Sequence, residues 1–201
     1  MTGDHYFTPQ PGTAPDRREI EFSAAGRDYE LVSSGGVFSA YRLDPGTAVL
    51  LRKADLPGPG TTGPLLDLGC GYGPIACVLA TEAPAAEVWA VDVNSRAREL
   101  AAENAARTGA ADRIRVAAPE EVPDGLTFAE IWSNPPIRIG KAELHTMLLH
   151  WLPRLTPDGV AWLVVGRHLG GDSLHRWLTE QGWRVERPAS QKGYRVLRVT
   201  R

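Results

Sequence analysis

Residues 67–74, with the sequence DLGCGYGP, decide the fold because glycines occupy every second position after a short apolar run. Glycine tolerates the left-handed backbone of tight turns and lets another molecule approach the main chain. The run LLDLG is typical of a buried strand, and PIACVLATEA after the turn is typical of a helix. A proline suits the first helical position, where its missing N–H would be unpaired anyway. We therefore predict a strand, a glycine turn and a helix whose N terminus is open to an anionic group.

Strand and helix patterns alternate after this turn. The strand-like runs are EVWAVDV, RIRVAA, FAEIWS and VAWLVVGR, and PDG is predicted to turn the chain into the last of them. The helix-like runs are SRARELAAENAARTG, closed by Gly109, then KAELHTMLLHWLPRL and DSLHRWLTEQG. WRVERPA and YRVLRVT close the chain as an antiparallel pair. This order predicts an α/β fold with a mainly parallel seven-stranded sheet and helices on both faces.

The N-terminal part has a different pattern. REIEFSAAGRDYELVSS is typical of a hairpin that turns at Ala25-Gly26, and LDPGTAVLLRKADL is typical of one short helix. We predict an irregular arm at residues 1–17 and a single domain at 18–201. The hairpin extension and its helix occupy residues 18–60, and the α/β core occupies residues 61–201.

The composition limits the class of protein. Hydrophobic residues make up 43% and charged residues 23% of the 201 residues, which is typical of one globular domain. We see no apolar stretch long enough for a membrane helix and no secretory signal, so no membrane partner is expected. The two cysteines, Cys70 and Cys77, are expected to be free thiols in a reducing cytoplasm.

A carboxylate follows the glycine turn at the end of the next strand. Asp92, in AVDVN, lies 25 residues after Asp67, and an acid at that edge can accept both hydroxyls of a ribose. A ligand with a ribose is therefore expected. The turn of NAD-binding proteins would need its third glycine where this chain has Pro74, which disfavours an NAD-dependent oxidoreductase.

The stretch SNPPIRIGK, residues 133–141, follows the strand FAEIW. Two prolines end a strand because they cannot donate to its ladder, and they make the next loop rigid. This strand is expected beside the first one, so its end faces the glycine turn. The side-chain carbonyl of Asn134 and the backbone carbonyl of Pro135 can then hold the N–H groups of a weakly nucleophilic amine in line for transfer.

The glycine turn and its acid resemble motifs I and II of the class I S-adenosylmethionine (SAM) methyltransferases. The resemblance implies a Rossmann-like class I methyltransferase fold, SAM as cofactor, S-adenosylhomocysteine as product and no metal. It implies that the glycines lie against the methionine part of SAM, that Asp67 supports the turn and the ammonium group, and that Asp92 holds the ribose. The predicted cofactor-binding residues are Asp67, Gly69, Cys70, Gly71, Gly73, Asp92, Val93, Asn94 and Ala118.

The adenine end of this site is less regular. Asn94 stands at a position that commonly touches the adenine side in the families that the chain resembles. Many relatives place an acid directly after the third strand to bind the adenine amine, whereas this chain has Ala117-Ala118-Pro119. Glu120 is our candidate for that acid.

The Asn-Pro-Pro stretch resembles motif IV of amino-methyltransferases, which act on adenine N6, guanine N2 or a glutamine side-chain amide. The resemblance implies that the catalytic residues are Asn134, Pro135 and Pro136. The next residue in those families is usually a stacked Tyr or Phe, but here it is Ile137. Phe38 and Tyr194 are our candidates to supply a ring from elsewhere.

Five segments resemble, in order, the "methyltransferase small" domain of the RsmC-like enzymes over about residues 35–201. They are GVFSAYRLDPGTAVLL, LLDLGCGYGPI, SNPPIRIGK, LLHWLPRLTPDG and KGYRVLRV. The resemblance implies methylation of guanine N2 in small-subunit (16S) ribosomal RNA, with that RNA or the small ribosomal subunit as partner. RsmC enzymes usually carry two tandem domains, and this chain has room for the catalytic one.

Two alternatives stay open. The enzyme could methylate a protein glutamine amide or another nucleic-acid amino group, or the chain could be a non-catalytic SAM-binding module in ribosome assembly or regulation. The charge distribution favours RNA, because residues 134–201 hold 11 Lys or Arg and 5 Asp or Glu, whereas the whole chain holds 22 and 24. A solvated basic surface is the other interpretation. The predicted substrate-binding residues are Phe38, Ile137, Arg138, Lys141, Lys192, Tyr194 and Arg195, the four basic ones as phosphate contacts.

Overall fold

The computed structural model describes residues 16–136 and 139–201. The predicted arm therefore lies, up to residue 15, outside the described residues, as do Ile137 and Arg138. The described chain opens with an antiparallel hairpin of β1 (Arg17–Ala24) and β2 (Arg27–Ser34). Both residues of its turn, Ala25 and Gly26, have positive φ angles, in agreement with the predicted turn.

A second sheet has seven strands in the order β5-β4-β3-β6-β7-β9-β8. Its strands are β3 (Leu65–Leu68), β4 (Val88–Val91), β5 (Ile114–Ala117), β6 (Phe128–Ser133), β7 (Leu155–Gly166), β8 (Arg184–Gln191) and β9 (Tyr194–Thr200). All neighbours are parallel except β9, which is antiparallel to both β7 and β8. Winding reverses beside β3, and a parallel sheet opens a crevice at such a point. This sheet confirms the predicted fold class.

Helices cover both faces of the sheet. They are α1 (Pro45–Lys53), α2 (Pro74–Glu82), α3 (Ser95–Arg107), α4 (Lys141–Trp151) and α5 (Gly171–Glu180). The first three pack with the hairpin in one apolar cluster, and the last two belong to the other. Leu65 and Leu66 of β3 lie in opposite clusters, as the alternation of side chains along a strand requires. No helix in the described ranges is long and apolar enough to cross a membrane.

One predicted boundary is wrong. The residues PDG were expected to turn the chain into a strand, but β7 already begins at Leu155 and includes them. The register between β6 and β7 shifts there, from Phe128 paired with Leu155 to Glu130 paired with Val160. The irregular register accommodates Pro157, which cannot donate to a regular ladder.

Asn104 of α3 ties the hairpin to the α/β core. It is fully buried, and its Oδ1 accepts a hydrogen bond from the backbone N–H of Val32 (2.7 Å). Its Nδ2 donates to the carbonyl oxygens of Val32 and Tyr72, both at 2.8 Å. Tyr72 belongs to the glycine turn, so one side chain holds the hairpin, a helix and the turn together.

We expect Asn104→Ala to lower the free energy of unfolding by about 2–4 kcal/mol, because three backbone groups would lose their partner in the interior. Urea denaturation monitored by circular dichroism measures this loss. Glu99→Ala, on the exposed side of the same helix, is the control and should change stability by less than about 0.5 kcal/mol. An equal effect of the two substitutions would contradict the role of Asn104.

Candidate functional site

The glycine turn lies at the carboxyl end of β3 and is attached to β4. The N–H groups of Gly69 and Cys70 both donate to the carbonyl oxygen of Val91, at 2.8 and 3.0 Å. Gly69, Gly71 and Gly73 have φ angles of 74°, 56° and 86°, in the region that favours glycine. A residue with a side chain at these positions would strain the turn.

Gly73, the third glycine, also lets two helices pack closely together. A Cβ atom on Gly73 would lie 3.2 Å from the Cβ of Ala101, so the start of α2 approaches α3 closely. The nearest atoms to a Cβ on Gly69 or Gly71 would be 4.0 Å away, on Pro136 and Val37 respectively. These two glycines therefore leave space for a ligand, whereas Gly73 brings two helices together.

Asp67 is a fully buried carboxylic acid at the end of β3. Its Oδ2 accepts a hydrogen bond from the N–H of Ala76 at 2.9 Å, which joins the strand to the first turn of α2. Its Oδ1 is buried without a hydrogen-bond partner in the described part of the chain. Burial raises the pKa of Asp67 to about 8 and Asp92 adds to the rise, against the opposing Ala76 hydrogen bond.

Asp92 stands across the turn from Asp67 and is also buried. Its Oδ2 accepts from the N–H of Gly71 and its Oδ1 from the N–H of Asn94, both at 2.9 Å. A carboxylate oxygen can accept more than one hydrogen bond. Asp92 is therefore held at the edge of the sheet in a position that suits two ribose hydroxyls.

The chemistry of these groups suits the predicted ligand SAM. The unpartnered Oδ1 of Asp67 can accept from an ammonium group, since buried polar atoms gain from a partner. Asp92 can accept from hydroxyls, and the space beside Gly69 and Gly71 admits a chain close to the backbone. Val93 is 46% exposed directly after Asp92 and offers an apolar surface there.

The adenine end differs from the expectation in two details. Asn94 is fully buried, its Oδ1 accepts from two N–H groups at the start of α3, and its Nδ2 donates to the carbonyl oxygen of Gly36. Its side chain thus caps a helix. The acid bonded to the backbone N–H of the buried Ala118 is Glu121, at 2.6 Å, whereas Glu120 is exposed. The adenine contact of Glu120 stays a prediction.

Cys70 is buried in the turn, where burial raises its pKa well above the usual value. A thiol held neutral is a poor nucleophile. Cys70 therefore acts through its backbone, which bonds to Val91.

Asn134 follows β6 and faces the same crevice. The hydroxyl of the preceding Ser133 donates to the carbonyl oxygen of Leu68 (2.7 Å), which joins the ends of β6 and β3. The Pro136 ring lies next to Gly69. The Asn134 Nδ2 donates to Asp44 Oδ1 (2.7 Å) and Thr47 Oγ1 (3.1 Å). Its Oδ1 is thereby left as the acceptor available to a substrate.

A small pocket connects these groups. Its walls come from the glycine turn, the start of α2, the segment before α1 and Asn134, and they include Phe38, Ser39, Asp44, Thr47, Gly69, Cys70, Gly71, Tyr72, Pro74, Ile75 and Asn134. A wider cleft of about 650 Å³ lies elsewhere, between the hairpin turn and α1. We assign the site to the small pocket, because that is where the two predicted motifs meet.

The structure separates the predicted substrate residues into two groups. Phe38 lines the pocket and is 41% exposed, and Tyr194 packs on the first turn of α1 at Gly46. Lys141 starts α4 and Lys192 lies in the turn between β8 and β9, and both are exposed. Arg195, in contrast, is buried and paired with Asp172 of α5. That place does not suit the predicted phosphate contact.

Asp67 should make stability depend on pH. Because its pKa is raised to about 8 in the folded protein, the folded state keeps a proton that the unfolded chain releases near pH 4. The free energy of unfolding should therefore fall by a few kcal/mol between about pH 4 and pH 8. Asp67→Asn, which stays neutral, should gain stability relative to the wild type across this window.

Urea denaturation at several pH values measures this difference. Asp124→Asn, in an exposed loop, is the matched control and should follow the wild type. A wild-type and Asp67→Asn difference that is constant from pH 4 to pH 8 would show that folding does not raise the pKa of Asp67.

Comparison with known proteins agrees with this geometry. The family model described as "Methyltransferase small domain" matches residues 28–198. The uncharacterized protein YbxB of Bacillus subtilis (strain 168) is 31% identical over 199 residues, covering 98% of each chain. The ribosomal RNA small subunit methyltransferase C of Alcanivorax borkumensis is 33% identical over 183 residues, covering 86% of this chain and 52% of that protein.

A solved structure shows the same fold. The T. thermophilus 16S rRNA N2 G1207 methyltransferase RsmC, in complex with AdoMet and guanosine, superposes with a TM-score of 0.76 at 24% identity. The match covers 95% of this chain and 52% of that one. The chain thus spans nearly all of YbxB but about half the length of the named ribosomal RNA methyltransferases. The chain belongs to the methyltransferase small domain family and is a SAM-dependent methyltransferase.

Proposed function

We propose that this protein methylates the exocyclic N2 of a guanine in small-subunit (16S) ribosomal RNA, with SAM as the methyl donor. The observation that carries the proposal is the orientation of Asn134. Its amide nitrogen is bonded to Asp44 and Thr47, so its oxygen is the group left to accept from an amine. An acceptor beside a SAM-type glycine turn suits an amine substrate.

In the proposed mechanism the residues of the crevice hold both reactants. When bound, SAM supplies an electrophilic methyl group on a sulfonium. Asp67 would accept from its ammonium, Asp92 would accept from its ribose, and the glycine turn would contact its methionine part. These residues would hold the methyl donor in place for an incoming amine.

Asn134 and Pro135 would prepare the amine. The exocyclic nitrogen of guanine is a weak nucleophile, because its lone pair is delocalised into the ring. The Oδ1 of Asn134 and the carbonyl oxygen of Pro135 would each accept one N–H and turn the lone pair toward the methyl group. No strong base is required, since the proton can pass to water after transfer. Positioning then supplies most of the acceleration.

The choice of RNA rests on charge and on relatives. Residues 134–201 carry an excess of basic over acidic residues, and exposed Lys141 and Lys192 stand near the carboxyl edge of the sheet. Several relatives are named as ribosomal RNA methyltransferases, and the T. thermophilus enzyme was solved with guanosine. The guanine would have to be unpaired or flipped out to reach Asn134.

Methyl transfer from labelled SAM to small ribosomal subunits that lack the native methylation tests the proposal. Digestion of the RNA should yield labelled N2-methylguanosine. Asn134→Ala should lower kcat by about 10²-fold or more, through the loss of one fixed acceptor, while SAM binding measured by calorimetry stays within about twofold.

Arg184→Ala, on the exposed far edge of the sheet at β8, controls for general damage and should keep wild-type kcat. Label in another nucleoside would move the target to a different amino group. If SAM binds but no RNA is labelled, the substrate assignment is wrong, and a protein glutamine amide or a non-catalytic role becomes the better account.

The two exposed lysines give a second test. Replacing Lys141 and Lys192 together by alanine should raise the KM for RNA and lower the slope of log KM against log salt concentration by about 1–2. The affinity for SAM should not change. Lys53→Ala, at the opposite end of α1 from the site, removes a like charge as control. An unchanged salt slope in the double variant would exclude these lysines as phosphate contacts.

A further inference from the structure

The start of α1 binds the side-chain amide of Asn134, although Asp44 lies 90 residues earlier in the sequence. Asp44 Oδ1 accepts from both Asn134 Nδ2 (2.7 Å) and the N–H of Thr47 (3.0 Å). The Oγ1 of Thr47 accepts from the same Nδ2 at 3.1 Å. Two acceptors of one helix turn therefore meet the two N–H groups of one amide.

We propose that Asp44 and Thr47 are positioning residues that decide which way the Asn134 amide points, and so make its oxygen the acceptor for the substrate amine. This inference rests on the proposed function, in which Asn134 accepts from that amine. An asparagine amide has similar size in its two flipped orientations, and its terminal torsion is broad. The surroundings must therefore select one orientation.

Electrostatic interactions select the observed orientation of the Asn134 amide. In the flipped orientation the amide oxygen would face the carboxylate of Asp44, which only accepts, and the carboxylate would lose a charge-assisted hydrogen bond. The Thr47 hydroxyl can accept or donate, so it supports the observed orientation and Asp44 excludes the other. A flipped amide would present N–H groups to the substrate amine, which also carries N–H groups. Such a site could neither hold the amine nor direct its lone pair.

The turn is built so that this contact fits. Asp44 is the N-cap of α1, which fixes its side chain at the start of the helix. Thr47 is 4% exposed, so its hydroxyl is turned inward. A Cβ on Gly46 would lie 2.9 Å from both Asp44 Oδ1 and Tyr194 Cε1, so only glycine leaves space there. Tyr194 therefore closes the outer side of the turn.

A series at residue 44 separates positioning from capping. Asp44→Ser keeps a good N-cap but its side chain is one atom too short to reach Asn134. Asp44→Asn keeps both the cap and an acceptor oxygen of the same reach. We expect kcat to fall about 10- to 100-fold in Asp44→Ser and to recover to within about fivefold of the wild type in Asp44→Asn, with the KM for SAM and the melting temperature nearly constant.

Thr47→Val removes one acceptor at nearly constant shape and should lower kcat by about two- to tenfold. Equal kcat in Asp44→Ser and the wild type would overturn the proposal. So would a fall in kcat that follows a fall in melting temperature in all three variants, because that pattern would indicate a purely structural turn.

A measurement on the free protein tests the role of Asp44 independently of the proposed function, because it needs no substrate. In ¹⁵N-labelled protein, the side-chain NH₂ signals of Asn134 are identified by their absence in Asn134→Ala. Asp44→Ser should shift these signals and speed their exchange with water. If they move while no RNA is labelled, the positioning role stands and the RNA assignment falls. If they do not move, Asp44 does not hold the amide, whatever the substrate is.

Discussion

The reversal of winding beside β3 is the constraint on which the site depends. β3 is parallel to β4 on one side and to β6 on the other, so the segments after all three strands leave the sheet at the same edge. The Ser133 hydroxyl, bonded to the carbonyl oxygen of Leu68, joins these two strand ends. The N–H groups of Gly69 and Cys70 join the turn to β4. Motifs that are more than sixty residues apart in the sequence thus share one crevice.

The two buried carboxyl groups at that edge, of Asp67 and Asp92, differ in their hydrogen-bond partners. Asp92 is satisfied by two backbone N–H groups, whereas one oxygen of Asp67 has no partner in the described chain. Burial raises the pKa of Asp67 to about 8, because its one backbone hydrogen bond opposes the effect of burial only in part. A cationic group that binds beside Asp67 would return the missing interaction. The unpartnered oxygen of Asp67 thus lowers the stability of the free protein and favours the binding of a cationic group, a trade-off that is common at binding sites.

Local patterns predicted the fold and the two motifs, because glycines, prolines and alternating apolar runs act through the backbone nearby. Contacts between side chains that are far apart in the sequence could not be predicted from such local patterns. Asp44 was visible only as the start of a helix, since nothing in LDPGT indicates that it meets Asn134. The cap that the Asn94 side chain forms on α3 is a further contact that the sequence did not indicate, and the predicted ligand contact of Asn94 stays a prediction. Arg195 has the charge of a phosphate contact, but tertiary packing buries it beside Asp172.

The segment between β2 and α1 completes the site, although it lies outside the α/β core. The carbonyl oxygen of Gly36 accepts from Asn94 at the start of α3, and Val37 approaches Gly71. The same segment exposes Phe38 at the pocket and ends in Asp44, which bonds to Asn134. One short stretch therefore touches the glycine turn, the amide of the Asn-Pro-Pro loop and the open side of the pocket. The hairpin and Asn104 anchor this stretch. Removal of the N-terminal extension would therefore leave the Asn134 amide without its two acceptors.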